Sequence, residues 1–189
     1  MESSPSSSPP SVPEGFVYAG PVSDFLPSSS QAATMADSDT NGQSVPGCQT
    51  ADVTCGPELK TTSDGEEYLI KVIEIPQPAG RYPPQRRVGI SYFRKKWYAF
   101  VNICPHQGSA LSRGSMMDIE DMGIVWGAGI ICSLHNWTFD ALSGQSDSTR
   151  FVIDTYDIKE MDGHVFVSQA PRNGHVVGPR RDFGGREMN

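Results

Sequence analysis

Short apolar runs separated by turn residues fill the middle of the chain. Residues 68–75, 87–93 and 97–103 are rich in β-branched and aromatic side chains and are too short to favour helices, so each predicts a strand. Prolines follow the first run, and the charged residues 94–96 predict a turn between the other two. The third of these strands leads directly into Cys104.

The same pattern continues towards the C-terminus. Residues 137–139, 151–158 and 165–167 predict further strands, and Asp162-Gly163 strongly indicates a two-residue hairpin turn. No stretch has the periodicity of a helix, and about eight short strands are expected in all. The pattern therefore predicts an all-β fold.

Residues 107–131 predict an extended hairpin between the two halves of this pattern. Residues 116–122 are expected to be its exposed acidic part, and residues 124–126 together with 130–131 are expected to return into the core. Glycines at 127 and 129 permit a bend or bulge before Cys132. The carboxylates of the hairpin predict either an acidic rim near Cys104 and Cys132, suited to a basic partner, or a merely solvated turn.

The two ends of the chain differ from its middle in composition. Residues 1–62 are dominated by Ser, Pro, Thr and Asp, and they predict a disordered acidic tail. The apolar residues at 16–18 and 25–26 are interpreted as isolated positions in that tail, with partner docking as the alternative. The compact domain is expected at 63–170, followed by a flexible C-terminal tail at 171–189.

Charge excludes several classes of function and location. The formal net charge is −7, which argues against a nucleic-acid partner. No Lys or Arg precedes Lys60, whereas secretory signals and mitochondrial transit peptides are basic. The chain has no apolar run long enough to span a membrane. A soluble, cytoplasmic protein is therefore expected, with the nucleus as the alternative location.

Four residues carry the candidate chemistry: Cys104 and His106 in one segment, Cys132 and His135 in another. In an extended backbone, side chains two residues apart leave one face about 6–7 Å from each other. Cys104 and His106 are therefore too far apart to share one small ion comfortably, but they can reach opposite ends of a two-iron cluster. A structural zinc site is the alternative, although its usual ligand spacings fit this pattern poorly.

The two segments, CPHQG and CSLHNWTFDALSG, resemble the Rieske family, in particular its small soluble domain proteins and ferredoxins. The resemblance implies one [2Fe–2S] cluster per chain, with Cys104 and Cys132 on one iron and His106 and His135 on the other. It also implies small antiparallel sheets in a sandwich or barrel, with two loops forming a cluster-binding subdomain. A Rieske-like domain that folds without a cluster is the remaining alternative.

Neighbouring positions refine the resemblance. Pro105 and Gly108 suit a tight loop whose backbone N–H groups point at sulfur. High-potential Rieske proteins brace their loops with a disulfide, but the matching positions here are Ser109 and Leu134, which cannot form one.

The same proteins carry a hydroxyl and a tyrosine after the second histidine, where this chain has Trp137 and Phe139. These departures predict a low-potential centre of the ferredoxin or oxygenase type. The alternative interpretation of Trp137 and Phe139, packing under the loops, is compatible with it.

The function expected from the resemblance is one-electron transfer from a reductase to an acceptor such as an oxygenase. No catalytic residue is expected, because only His164 and His175 remain to build a mononuclear iron site and neither has a partner at ligand spacing. A redox sensor or regulatory binding module is the alternative from another class, and a monomer is the default. Cys48 and Cys55 are interpreted as ordinary thiols, with a redox-sensitive pair or a transient metal contact as the alternatives.

Overall fold

A computed structural model describes residues 11–27, 58–77, 79 and 84–181. In this part of the chain ten strands form three antiparallel sheets. The strands are β1 (Phe16–Pro21), β2 (Glu58–Thr61), β3 (Glu67–Pro76), β4 (Gln85–Phe93), β5 (Lys96–Val101), β6 (Ser115–Asp121), β7 (Ile124–Ile131), β8 (Thr138–Asp140), β9 (Tyr156–Met161) and β10 (His164–Pro171). Short 3₁₀ turns lie at Val22–Phe25 and Leu111–Arg113.

The sheets have the orders β1-β10-β9, β2-β3-β4-β5 and β6-β7-β8. The predicted all-β class is confirmed. The hairpin turn at Asp162-Gly163 is confirmed as well, because β9 and β10 pair through Met161 and His164, and both turn residues have positive φ. The predicted strand 151–158 is partly wrong: continuous pairing starts only at Tyr156, and the residues before it make isolated bridges.

The first sheet corrects the prediction of an unstructured tail over residues 1–62. β1 pairs with β10, so that Phe16 lies opposite Ser168. Phe25 is fully buried and meets the Trp97 ring edge-on at 5.4 Å between centroids. The apolar positions of this segment belong to the core, because they complete a sheet whose other strands come from the end of the chain. Cys48 and Cys55 lie outside the described residues.

The C-terminal segment is likewise part of the fold as far as residue 181. Asn173 is buried, and its side-chain amide donates to the carbonyls of Ser143 (2.7 Å) and Ile153 (2.8 Å). Its Oδ1 accepts from the backbone N–H of Thr155 at 3.1 Å. A buried amide with these partners holds the chain in one place, so the predicted flexible tail is wrong for this stretch.

Two hydrophobic clusters fill the interior. One lies between the first and second sheets and is built from Ala19, Phe25, Ile75, Val88, Ile90, Ala99, Tyr156, Val165 and Val167. The other lies against the third sheet and includes the two motif cysteines among residues such as Leu111, Ile130 and Phe139. No helix in the described ranges is long and apolar enough to cross a membrane.

Arg94 joins the second and third sheets. It lies in the tight turn between β4 and β5, where its φ is positive. Its guanidinium donates to both carboxylate oxygens of Asp118 on β6 at 2.6–3.0 Å, and it also pairs with Asp64 and Glu66 beside β3. These carboxylates raise the pKa of Arg94 further above its ordinary value, with Asp118 contributing most. The root of the third sheet is therefore fixed against the second.

The extended hairpin is confirmed as β6 and β7, and Ile130 is buried as predicted. The prediction is wrong for residues 124–126 and for Met116, which is buried. Ile124, Val125 and Trp126 are exposed, and the return into the core begins only at Ala128. The hairpin tip lies at the N-terminal end of β7, whereas Cys132 follows its C-terminal end, so about seven residues of extended chain separate the two. The predicted acidic rim is therefore on this tip and not beside the motif, with Asp118 bound to Arg94.

Candidate metal centre

The first motif lies in a loop, residues 104–109, directly after β5. The backbone N–H of Cys104 donates to the carbonyl of Ser109 at 2.8 Å, and that of Gly108 donates to the carbonyl of Cys104 at 2.9 Å. This closure needs a left-handed residue, and Gly108 supplies it with φ 74°. Pro105 is buried within the turn. The predicted role of Pro105 and Gly108 in a tight loop agrees with this geometry.

The second motif lies in a loop, residues 132–137, that repeats the same closure directly after β7. The backbone N–H of Cys132 donates to the carbonyl of Trp137 at 2.9 Å, and that of Asn136 donates to the carbonyl of Cys132 at 3.0 Å. Asn136 takes the left-handed position with φ 56°, which asparagine tolerates better than most residues. The repeated closure presents both cysteines from equivalent positions.

Cys104 and Cys132 face the core, and both are free thiols with about 1% of their surface exposed. Burial raises the pKa of Cys104 to about 11, and the neighbouring Cys132 adds to the rise. Backbone N–H groups of His106 and Gln107 act in the opposite direction by donating to the sulfur. Metal binding requires thiolates, so a cationic centre has to displace these protons.

His106 and His135 lie together on the outer side of the cysteines. Their ring centroids are 4.3 Å apart, with the planes at 67°. His135 is exposed, whereas His106 is half-buried and its Nδ1 is buried without a hydrogen-bond partner. A buried ring nitrogen left unpaired is costly unless a metal or water satisfies it. This atom is therefore a fitting metal ligand.

Trp137 packs directly on His106. The two rings are parallel within 7° and 4.3 Å apart, and the far face of Trp137 meets Phe151 at 5.7 Å. The Arg181 guanidinium lies 5.0 Å from the Phe151 centroid. Phe139 is fully buried below the loops. Trp137 and Phe139 thus pack as in the alternative interpretation of these positions, which leaves the predicted low potential untested. Phe151 and Arg181 were missed because only the tertiary fold brings them to the motif.

The remaining predicted positions are Ser109, which accepts the Cys104 hydrogen bond, and Leu134, which is mostly exposed. Neither side chain carries a thiol, so these two positions cannot form a disulfide.

The donor set suits a two-centre group better than a single ion. Within the described ranges, no three or more His, Cys, Asp or Glu side chains converge as ligands of one ion. The four motif side chains instead form two pairs, buried sulfurs on one side and imidazoles on the other. Two thiolates and two neutral imidazoles balance the +2 charge of an oxidised [2Fe–2S] core, so the residues present fit such a cluster.

Comparison with known families identifies the domain that holds the two loops. The model of the Rieske [2Fe-2S] domain matches residues 44–155, which include both loops. No curated protein sequence matches the chain.

Solved structures with a similar arrangement are distant in sequence. The putative NADH-dependent nitrite reductase small subunit from Mycobacterium tuberculosis is 14% identical, with a TM-score of 0.44 over 82% of this chain and 95% of that one. A chain from the complex of oxygenase and ferredoxin in carbazole 1,9a-dioxygenase is 17% identical, with a TM-score of 0.39 over 53% and 82%. The ferredoxin of Sphingomonas yanoikuyae B1 is 19% identical, with a TM-score of 0.37 over 53% and 100%.

Proposed function

The chain belongs to the Rieske [2Fe-2S] domain family, and from that premise we propose that it is a one-electron carrier acting between protein partners. Members of this family hold a [2Fe–2S] cluster, which accepts and releases a single electron. The part of the fold around the two loops serves to hold that group, to keep water from its sulfur side and to expose its imidazole side.

The ligand assignment is the core of the proposal. Cys104 and Cys132 would bind one iron, and His106 and His135 the other. The observation that carries it is the repeated loop closure, which brings the two buried thiols together and places the imidazoles 4.3 Å apart on the outer side. The unpaired Nδ1 of His106 supports an imidazole ligand at that position.

The exposed His135 gives electrons a short route from the cluster to the protein surface. Its neighbours Ser133, Leu134 and Asn136 are exposed as well, so a partner can approach this loop closely. The cysteine side, in contrast, is closed by core residues. A reductase and an acceptor, such as an oxygenase, would therefore use the imidazole face, and we propose a cytoplasmic setting for this exchange.

A low-potential centre is the finer part of the proposal. Trp137 and Phe139 carry no hydroxyl that can donate to a sulfur or a ligand, and the loops have no bracing disulfide. Fewer hydrogen bonds to the cluster leave its reduced state less stabilised. We expect a midpoint near the lower end of the range of about −150 to +300 mV for Rieske centres.

The chain is proposed to transfer electrons and not to transform a substrate itself. His164 lies in the first sheet, where its Nδ1 is 3.2 Å from the Tyr18 hydroxyl. His175 is exposed beyond β10. Among the residues that the structure describes, neither lies in a set of three or more side chains that converges on an ion. Both are thus poor candidates for a mononuclear iron site of the oxygenase type.

The deciding experiment measures iron and acid-labile sulfide in the purified chain, with electron paramagnetic resonance after dithionite reduction. About two irons and two sulfides per chain and a rhombic signal of low average g are expected. Replacing any of the four ligands by alanine should abolish the signal, and His164→Gln should leave it unchanged. Colourless protein holding one zinc would contradict the electron-carrier proposal. A midpoint potential well above zero would contradict only the expectation of a low-potential centre.

A further inference from the structure

The tip of the β6–β7 hairpin extends beyond its sheet. β8 pairs only with Gly129–Ile131 of β7, so residues 119–127, here called the hairpin arm, continue as a two-stranded ribbon. In the described part of the chain no strand pairs with the arm on its β7 side. The arm is thus free to contact another molecule.

The arm exposes several large apolar side chains at once. Met122 is 94% exposed, Ile124 58%, Val125 53% and Trp126 69%. Single exposed apolar residues are ordinary, but a contiguous group on a projecting element marks an interaction site. Nothing in the fold of the domain requires these side chains, because the core contacts of β7 begin at Ala128.

Trp126 occupies a β-bulge. Ile119 lies opposite Gly127 and Glu120 opposite Val125, which leaves Trp126 as the extra residue of β7. A bulge redirects a side chain and is found often beside functional positions. An exposed tryptophan presented in this way has the character of an interface anchor.

The charges around this apolar group indicate what covers it. Glu120 and Asp121 are exposed beside it, and the arm carries no Lys or Arg. Carboxylates along the edge strand β6 disfavour edge-to-edge pairing with a second copy of this chain. They also disfavour an anionic membrane surface. A protein surface with positive charge around an apolar cleft is the complementary occupant.

The root of the arm is held firmly. Asp118, next to its first residue, is bound by Arg94, which in turn pairs with Asp64 and Glu66. An arm that is fixed at its base loses little conformational freedom when it binds.

We propose that the hairpin arm docks into an apolar cleft, rimmed by Lys and Arg, on a partner protein, with Trp126 as the buried anchor. This inference stands apart from the electron-carrier proposal, because binding is measured without electron transfer.

The test uses the full cluster-loaded chain with p-benzoylphenylalanine, a photo-crosslinking amino acid, at position 126, and an extract of its source cells. The same probe at Met161, an exposed methionine next to Asp162 in the β9–β10 hairpin, is the matched control. The protein crosslinked at 126 is then identified and purified, and its affinity for the chain and its variants is measured by titration at several salt concentrations.

We expect Trp126→Ser to weaken binding at least about tenfold, as truncation of an interface anchor does. Glu120→Lys with Asp121→Lys should weaken it too and remove its salt dependence. Glu14→Lys with Glu67→Lys, an equal change of charge at exposed positions elsewhere, should have little effect. Cluster absorbance verifies that each variant is folded.

Three results would overturn the inference. The first is no adduct above the level of the Met161 control. The second is an adduct only with a second copy of the chain or with lipid. The third is a captured protein whose affinity is unchanged by Trp126→Ser.

Discussion

Loops 104–109 and 132–137 close with the same two backbone hydrogen bonds, yet their histidines meet different surroundings. His106 is stacked on Trp137 and has a buried ring nitrogen, whereas His135 is exposed along with its neighbours. The comparison separates two tasks. The repeated backbone places the cysteines equivalently, and the packing around each loop then makes one imidazole sheltered and the other accessible.

The loops also differ in how their ends are braced. Asn102, buried just before the first loop, accepts the backbone N–H of Ser112 at 2.7 Å and so ties β5 to the 3₁₀ turn beyond the loop. At the second loop, the corresponding side-chain hydrogen bond among the described residues is a long one of 3.5 Å, from Thr138 Oγ1 to the carbonyl of Asn136. We therefore expect side-chain hydrogen bonding to stabilise the first loop more than the second.

Removing the Trp137 ring, which shelters His106 but not His135, should have the largest effect on stability. Trp137→Ala deletes the contacts with His106 and Phe151, and a loss of about 3 kcal/mol in unfolding free energy is expected for truncating a large packed aromatic side chain. Urea unfolding followed by circular dichroism and cluster absorbance measures it. Leu134→Ala, at an exposed position of the same loop, should change the midpoint little. Equal midpoints for both variants would refute a stabilising role of the Trp137 stack on His106.

The side-chain brace gives an intermediate effect. Asn102→Ala leaves the N–H of Ser112 without its acceptor, which should cost about 1–2 kcal/mol. Thr138→Val, which removes the corresponding long contact near the second loop, should cost much less. Urea unfolding of the two variants in parallel decides the matter, and a larger loss for Thr138→Val would reverse our ranking of the loops.

The smallest expected difference concerns the left-handed residues. Gly108→Ala places a Cβ at φ 74° and should cost about 1 kcal/mol, since a left-handed conformation disfavours an ordinary side chain by about that amount. Asn136→Gly removes a Cβ from the matching position at φ 56° and should be close to neutral. Thermal unfolding resolves such differences, and destabilisation by Asn136→Gly alone would show that the two closures are not equivalent.

The pairing of the motif side chains and most strands follow from the sequence because their causes are local. Spacing between Cys and His, alternation in β3–β5 and the Asp162-Gly163 turn depend on neighbouring residues. β1, Asn173 and the Phe151–Arg181 contact depend on partners far along the chain, so composition alone misassigned or missed them. The exposed Trp126 was misplaced for another reason: an apolar strand end has the same pattern whether the domain or a partner covers it.

The pairing of β1 with β10 sets the order in which the protein can be completed during synthesis. The third sheet uses only pairings close in sequence, within residues 115–140, and can assemble as soon as these leave the ribosome. Phe16, in contrast, waits for Ser168, and the core cluster around Phe25 is complete only when Val165 and Val167 of β10 arrive. A chain that stopped at residue 155 would possess both motif loops, 104–109 and 132–137, but would lack the strands that close its first core.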